Sequence, residues 1–293
     1  MAGIIRALFQ QRPGDTVTIL FLLFLSALTL LFYPAVPKAP FLISLYAILI
    51  AVQIILIRLR NKAGSTGLIY NLIFPLLCVL LIFDSLEWFV HYVNPTDIDP
   101  VLIRIDSMIF GSHPTVMLEK IMNPFLTDVL QIAYSTYYFI PVSYAIILLP
   151  NRNTEAYDKS LFMILFCFYL SYLGYILFPA LGPRFYLDHL QNTELQGFLL
   201  AEPIRNLLDR LEGIKRDAFP SGHTAVAVIT LYLAFKYQRN FFWISIPVVM
   251  ALIFSTVYCR YHYVVDVIAG LGLTVLTVIL GNWYYGWWLR RSR

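Results

Sequence analysis

The chain holds 293 residues, of which 59% are hydrophobic, 16% aromatic and 13% charged, with a formal net charge of +4. Water-soluble domains carry roughly 25% charged residues, and a chain with a mean hydropathy of +0.72 cannot hide this much apolar surface from water. A soluble globular protein is excluded, no nucleic-acid partner is expected, and a polytopic membrane protein remains.

From the N-terminus, Met1 to Asp15 is basic, but the apolar run behind it is long and lacks a small-residue cleavage site, so it reads as a retained first helix and not a signal peptide. Eight spans are expected, at about 16–36, 40–58, 68–92, 125–149, 160–179, 221–237, 241–259 and 262–286. Pro34, Pro37 and Pro40 mark the first hairpin. Residues 58–67, 150–159 and 236–240 form short turns on one side, and 93–124 and 180–220 form long loops on the other. Between Val101 and Glu119, the apolar Leu102, Ile105 and Ile109 alternate with Arg104 and Asp106, the pattern of a short amphipathic helix lying in the interface. No internal repeat is visible. The expectation is one all-α integral membrane domain over 1–293, with 1–124 supplying N-terminal spans and the interfacial helix. Cys78, Cys167 and Cys259 are odd in number and sit in or beside apolar runs, so no disulfide framework is expected.

Charge sets the expected orientation. The N-terminus, the three short turns and the C-terminal tail hold 12 basic residues, Arg6, Arg60, Lys62, Arg152 and Arg293 among them, against Asp15, Glu155 and Asp158. The rest of the chain holds 9 basic and 14 acidic residues. The positive-inside rule puts both termini in the cytoplasm, which brings His91, His113, His189, His223 and His262 to the extracytoplasmic face.

Two polar islands stand at the starts of apolar runs: Phe219-Pro220-Ser221-Gly222-His223 and Arg260-Tyr261-His262-Tyr263-Val264-Val265-Asp266. Their histidines are 39 residues apart, about one helix down and one helix back, so both return to the same side. His262 and Asp266 share a helix face, where a carboxylate can hold one ring nitrogen and aim the other; alternatively they form a packing pair. Ser221 can cap the helix, Gly222 can admit a ligand to the backbone, and the free amides make an anion site. His223 in that first turn can protonate a leaving oxygen. Arg184, held by Gly182-Pro183, is either a phosphate grip or an interface anchor. The set describes phosphoryl transfer with a histidine nucleophile. No metal or other cofactor is expected, because Asp266 is better placed to orient His262 than to ligate zinc.

These residues resemble the type 2 phosphatidic acid phosphatase (PAP2) superfamily, whose members share a helical bundle and a metal-independent mechanism. Its signature has a first motif ending Arg-Pro, a second reading Pro-Ser-Gly-His, and a third reading Ser-Arg, five residues, His, three residues, Asp. Pro220 to His223 match the second, and His262 and Asp266 end the third. The resemblance implies that 125–293 forms the catalytic core. It also implies that His262 attacks phosphorus to form a phosphohistidine, His223 protonates the leaving group, and Asp266 orients His262. Thr256 stands where the third-motif arginine should be, and Phe185 follows Arg184 in place of proline. Arg260 is the expected substitute for the missing arginine. Lys215 and Arg216 either restore the lost positive charge or are solvated loop residues.

The stretch Asp106 to Thr115, with Tyr134, Tyr138 and the form of Tyr258 to Asp266, is similar to the inositol phosphorylceramide synthase (aureobasidin-sensitive) branch. That branch moves a phospho-headgroup from a phospholipid to a lipid alcohol. The expected substrate is thus a phospholipid or lipid phosphate, with a lipid alcohol as a possible acceptor. Asp84, Glu87, His91, Asp106 and His113 are candidates to line a headgroup pocket, with structural pairing or helix capping as the other reading. Hydrolysis of a lipid phosphate is the alternative outcome. A lipid transporter and an inactive scaffold are the competing classes.

Overall fold

The computed structural model describes residues 11–59, 65–149, 154–211 and 215–292. Arg6, Arg60, Lys62, Arg152 and Arg293, counted in the charge argument, lie outside these residues.

Prolines set where many helices begin and bend. Pro13 opens α1 (Pro13–Leu31) in the first turn, where a missing N–H has no intrahelical partner to lose. A turn through Pro34 and Pro37 leads to α2 (Ala39–Leu59). In α3 (Ile69–Glu87) the first turn, Ile69–Ile73, is π-helical. Pro75 cannot donate to the carbonyl of Asn71, and the Tyr157 hydroxyl donates to it instead. The amphipathic segment forms α4 (Asp99–Phe110), closed by Gly111 at φ +72, a left-handed cap that favours glycine.

The expected span 125–149 is broken into α5 (Pro124–Ser135) and α6 (Phe139–Leu148), joined by a 3-10 turn at Thr136–Tyr138. Pro141 explains the break, because it has no N–H for the carbonyl of Tyr137. The remaining long elements are α7 (Thr154–Leu177), α8 (Ala201–Leu211), α9 (Gly222–Tyr237), α10 (Arg239–Tyr258) and α11 (Val264–Ser292). Among the described residues no strand occurs.

Among the described residues six helices are long and apolar enough to cross a membrane: α1, α2, α3, α7, α10 and α11. The chain is an all-α, multi-pass membrane protein, but the expected count of eight spans is not reproduced. The broken α5–α6 pair falls short, and so does α9, whose 16 residues reach about 24 Å against a hydrocarbon core of about 30 Å. Packing compensates α9, since ten of its residues are buried within the bundle.

Helix α7 is the axis of the bundle, with 67% of its apolar window buried against 28–44% for the other five. One side packs on α1 and α3 through Tyr169, Tyr172 and Tyr175. The other packs on α9 and α11 through Phe162, Met163 and Cys167. Ile48, Trp243, Ile244 and Ile279 point outward, as a lipid-facing surface requires. At one end Asp15 accepts from Gln53 (2.8 Å) and Tyr70, so this buried acid is spent on tying α1 to α2 and α3. The long loops gather at the other end.

Candidate active site

Two aspartates on the buried face of α4 hold the loops. Asp99 accepts from the amides of Leu181 (2.9 Å) and Gly182 (2.8 Å) and from the Tyr263 hydroxyl (2.9 Å). Asp106 accepts from the amides of Val264 and Val265, both at 2.9 Å. Those amides open α11 and have no helical acceptor. Main-chain bonds then join the three motif regions: Arg184 N to Arg260 O (3.0 Å), Ala218 N to Ala180 O (3.1 Å) and Ser221 N to Asp266 O (3.0 Å). Gly182 sits at φ +90 with Tyr261 O only 2.7 Å from where a Cβ would stand, so no other residue fits there.

This frame brings the two histidines together. His262 Nε2 lies 3.2 Å from His223 Nδ1, and both rings are buried. His262 Nδ1 lies 2.7 Å from the carbonyl of Ala218, which can only accept, so Nδ1 carries the proton and donates it there. Nε2 is then left with its lone pair and accepts from His223 Nδ1–H. Among the described residues the second nitrogen of His223, Nε2, has no partner. Burial lowers the His262 pKa from its ordinary value, while Asp217 and the Ala218 carbonyl pull it up less strongly. The ring is therefore neutral at pH 7, the form a nucleophile needs.

Asp266 was expected to be the hydrogen-bond partner that orients His262. Its Oδ2 lies 3.5 Å from Nδ1 and accepts instead from the Tyr263 amide at 2.8 Å. The Ala218 carbonyl holds the ring, and Asp266 stands behind it as a buried carboxyl that caps the helix start.

Two cavities meet at this pair. A polar one of about 600 Å³ is lined by His262, Arg184, Tyr134, Lys215 and Arg260, and by Gln191 and Glu194. An apolar slot of about 100 Å³ runs between α3, α6 and α7, past Phe83, Tyr138 and Tyr172, and reaches His223. The two share one lining residue, Asp217.

The other expected site residues divide. Arg184 lies in the polar cavity and is paired with Asp209 of α8 at 2.7 Å; burial opposes its charge, and Asp209 together with Tyr261 and Tyr134 more than restores it. Arg260 borders the same cavity, but its guanidinium is bound to Glu119 (2.8 Å) and Thr193 O (2.6 Å), and burial lowers its pKa. It is held away from the histidines and does not replace the missing arginine in this conformation. Arg216 is spent on Asp97 at 2.7 Å and lines neither cavity. Ser221 caps α9, accepting from Thr224 N at 3.3 Å. Gly222 does not open the backbone to a ligand, because its missing Cβ makes room for the Tyr175 hydroxyl, 2.2 Å from that position.

Tyr134 stacks on His223 with ring centroids 4.5 Å apart, and Tyr138 lines the slot. Asp84, Glu87, His91, Asp106 and His113 line neither cavity. Asp84 is exposed, and Glu87 accepts from Lys215 N at 3.2 Å. The helix breaks at Trp88–Phe89, which turns His91 off the face they share. His113 bonds Ser107 at 3.2 Å, and its side chain caps no helix. Asp106 is a cap and not a pocket residue. Asp106→Ala should leave two amides unpaired, destabilise the fold by about 1–3 kcal/mol and lower kcat by shifting His262. A change confined to the headgroup KM, with melting unaltered, would return Asp106 to the pocket.

Sequence reasoning missed Asp99, Tyr137, Ala218 and Asp217. Tyr137 stands 4.1 Å from the His223 ring. The one available signal was the Asp99-Pro100 pair at a helix start. A carbonyl ligand such as that of Ala218 leaves no mark on residue type.

Among the described residues no three His, Cys, Asp or Glu side chains converge to hold a metal ion. The chain is 27% identical over 197 residues to a PA-phosphatase related-family protein of Dictyostelium discoideum, a match covering 60% of this chain and 36% of that protein. It is 24% identical over 216 residues to a phosphoinositol dihydroceramide synthase of Bacteroides thetaiotaomicron, covering 64% of this chain and 67% of the relative. No solved structure gives a significant match. The profile of the PAP2 superfamily matches residues 100–280, from α4 through both histidines and into α11. With a match over more than half its length, the chain belongs to the PAP2 superfamily of lipid phosphatases and phosphotransferases.

Proposed function

We propose that the protein transfers a phospho-headgroup, such as phosphoinositol, from a phospholipid to a lipid alcohol through a phosphohistidine on His262, without a metal. The observation that carries this is the His262–His223 pair, with Nδ1 fixed on the Ala218 carbonyl and the Nε2 lone pair facing a second imidazole. In the first half His223 enters as the imidazolium, its added charge balanced by the substrate phosphate; the His262 lone pair attacks phosphorus, the ester P–O bond breaks, and the leaving alkoxide takes a proton from His223, which becomes neutral. In the second half, an acceptor hydroxyl returns a proton to His223, its oxygen bonds phosphorus, and the P–N pair goes back to Nε2. Arg184 exchanges Asp209 for a phosphoryl oxygen, and Lys215 adds charge at the mouth. Tyr134 and Tyr138 pack the substrate's passage between the cavities.

The cavity pair suits a lipid with a bulky polar headgroup: an apolar slot for a chain, and a polar chamber whose amides and carboxylates match hydroxyls. The Bacteroides relative is named for such a transfer. The Dictyostelium relative's name supports a second reading, in which water replaces the lipid alcohol and the product is free phosphate. Both readings place the site on the extracytoplasmic face and both termini in the cytoplasm, by the distribution of Lys and Arg.

Purified protein in detergent with EDTA, given phosphatidylinositol with and without ceramide or diacylglycerol, tests the choice. Acceptor-dependent consumption of phosphatidylinositol supports transfer. Phosphate release from phosphatidic acid with no acceptor effect supports hydrolysis. Activity that EDTA abolishes and a divalent ion restores overturns the metal-free mechanism.

A further inference from the structure

Among the described residues Asp217 alone borders both the apolar slot and the polar chamber. It stands one residue before the carbonyl that holds His262, with His223 on the slot side and His262 on the chamber side. A lipid with its chain in the slot and its headgroup in the chamber must pass its phosphate beside this carboxyl. The chamber does not offset the added negative charge. Among the described residues its wall carries four basic against five acidic side chains, Arg260 is paired with Glu119, and Arg184 reaches a phosphate only by giving up Asp209. A site built for a doubly charged phosphate monoester would be expected to hold a surplus of free cations there.

We propose, resting on the phosphoryl-transfer reading above, that Asp217 is a charge filter: it admits the singly charged phosphodiester of a headgroup-bearing lipid and disfavours the doubly charged monoester of a lipid phosphate. A diester presents one negative charge to Asp217 and a monoester near neutral pH presents up to two, so the carboxylate raises the cost of the second. Burial lifts the Asp217 carboxyl to about 6, and His262 and Arg184 pull it back down while Glu87 pushes it up. The charge, and the filter with it, therefore grows as pH rises through that range. Ala218 fixes the nucleophile, and the residue beside it sorts what the nucleophile meets.

The test compares wild type with Asp217→Asn and Asp217→Ser, two neutral variants of different size, and with Asp217→Glu, which keeps the charge. The full chain in mixed micelles is given phosphatidic acid and phosphatidylinositol separately, and kcat/KM is taken for each. Binding of inorganic phosphate is read by thermal shift in the same preparations. Both neutral variants should raise the monoester-to-diester ratio about tenfold and tighten phosphate binding about tenfold, and the glutamate variant should keep the wild-type values. An unchanged ratio with unchanged phosphate affinity in the neutral variants overturns the charge filter. The phosphate arm decides the proposal even if wild type turns over neither lipid, an outcome that counts against the phosphoryl-transfer reading alone.

Discussion

Alanine at position 262 should reduce turnover of any phospholipid or lipid phosphate by on the order of 10⁴-fold or more, with little loss of folded protein. The Nε2 lone pair of His262, paired with His223 Nδ1 at 3.2 Å, lies where the two cavities meet, and His223 has the separate task of proton transfer. Cys259 is buried, and burial pushes its thiol up to about 12, so it offers no thiolate. Stability should change little, because the bonds the ring makes, to the Ala218 carbonyl and to His223, are few. The pH profile adds a signed expectation. The reactive form is the neutral ring, and burial moves its pKa below the ordinary histidine value. The acid limb of kcat/KM should therefore fall at a lower pH than a free imidazole would give. Asp217→Asn removes the first-named pull in the other direction and should move that limb lower still. An acid limb above the free-histidine value would mean that the protonated ring is the working form.

Alanine at position 223 should lower turnover of lipid substrates by about 10²–10⁴-fold, the usual range for a lost proton donor. The chemistry predicts more than a loss. A lipid alkoxide is a poor leaving group and needs a proton as the ester bond breaks, whereas p-nitrophenolate does not. The His223→Ala defect should therefore shrink to a few-fold on a p-nitrophenyl phosphodiester, while the His262→Ala defect should persist on both. Equal defects on both substrates would assign His223 to holding His262 in place and not to acid catalysis. Tyr134 and Tyr137, packed at 4.5 and 4.1 Å on the His223 ring, keep the donor from swinging away. Their loss should resemble a weaker version of the His223 defect.

What the sequence made legible follows from chemistry that needs particular side chains. The positions of the two histidines, the capping Ser221 and Arg184 were legible from residue type and spacing, but the role expected of Asp266 was not, because the Ala218 carbonyl holds the His262 ring and Asp266 accepts from the Tyr263 amide. The helix-rich membrane fold was visible because 20-residue apolar runs have few alternatives. The count of eight spans is not confirmed where one proline, Pro141, interrupts a hydrophobic run, and where α9 has only 16 residues, ten of them buried within the bundle. The headgroup residues failed for a different reason. Asp84, Glu87 and His91 share a helix face on paper, but the helix ends at Glu87 and the face ends with it. Asp106 looks the same in sequence whether it binds a substrate or caps α11, and only the distance to Val264 and Val265 separates the two. Arg260 is similar: its position two residues before His262 recommended it, and its pairing with Glu119 removes it from the reaction as the structure stands. Main-chain groups such as the Ala218 carbonyl carry no residue identity at all.

The central claim is that phosphorus bonds to His262 Nε2 during turnover. The most direct test is rapid quenching of purified enzyme with phospholipid labelled in its phosphate, followed by peptide mapping of any protein-bound label. The account predicts near-stoichiometric label on the peptide holding His262, stable in base and lost in acid, and absent from His262→Ala. Steady turnover with no protein-bound phosphate, or label on a different residue, would contradict it.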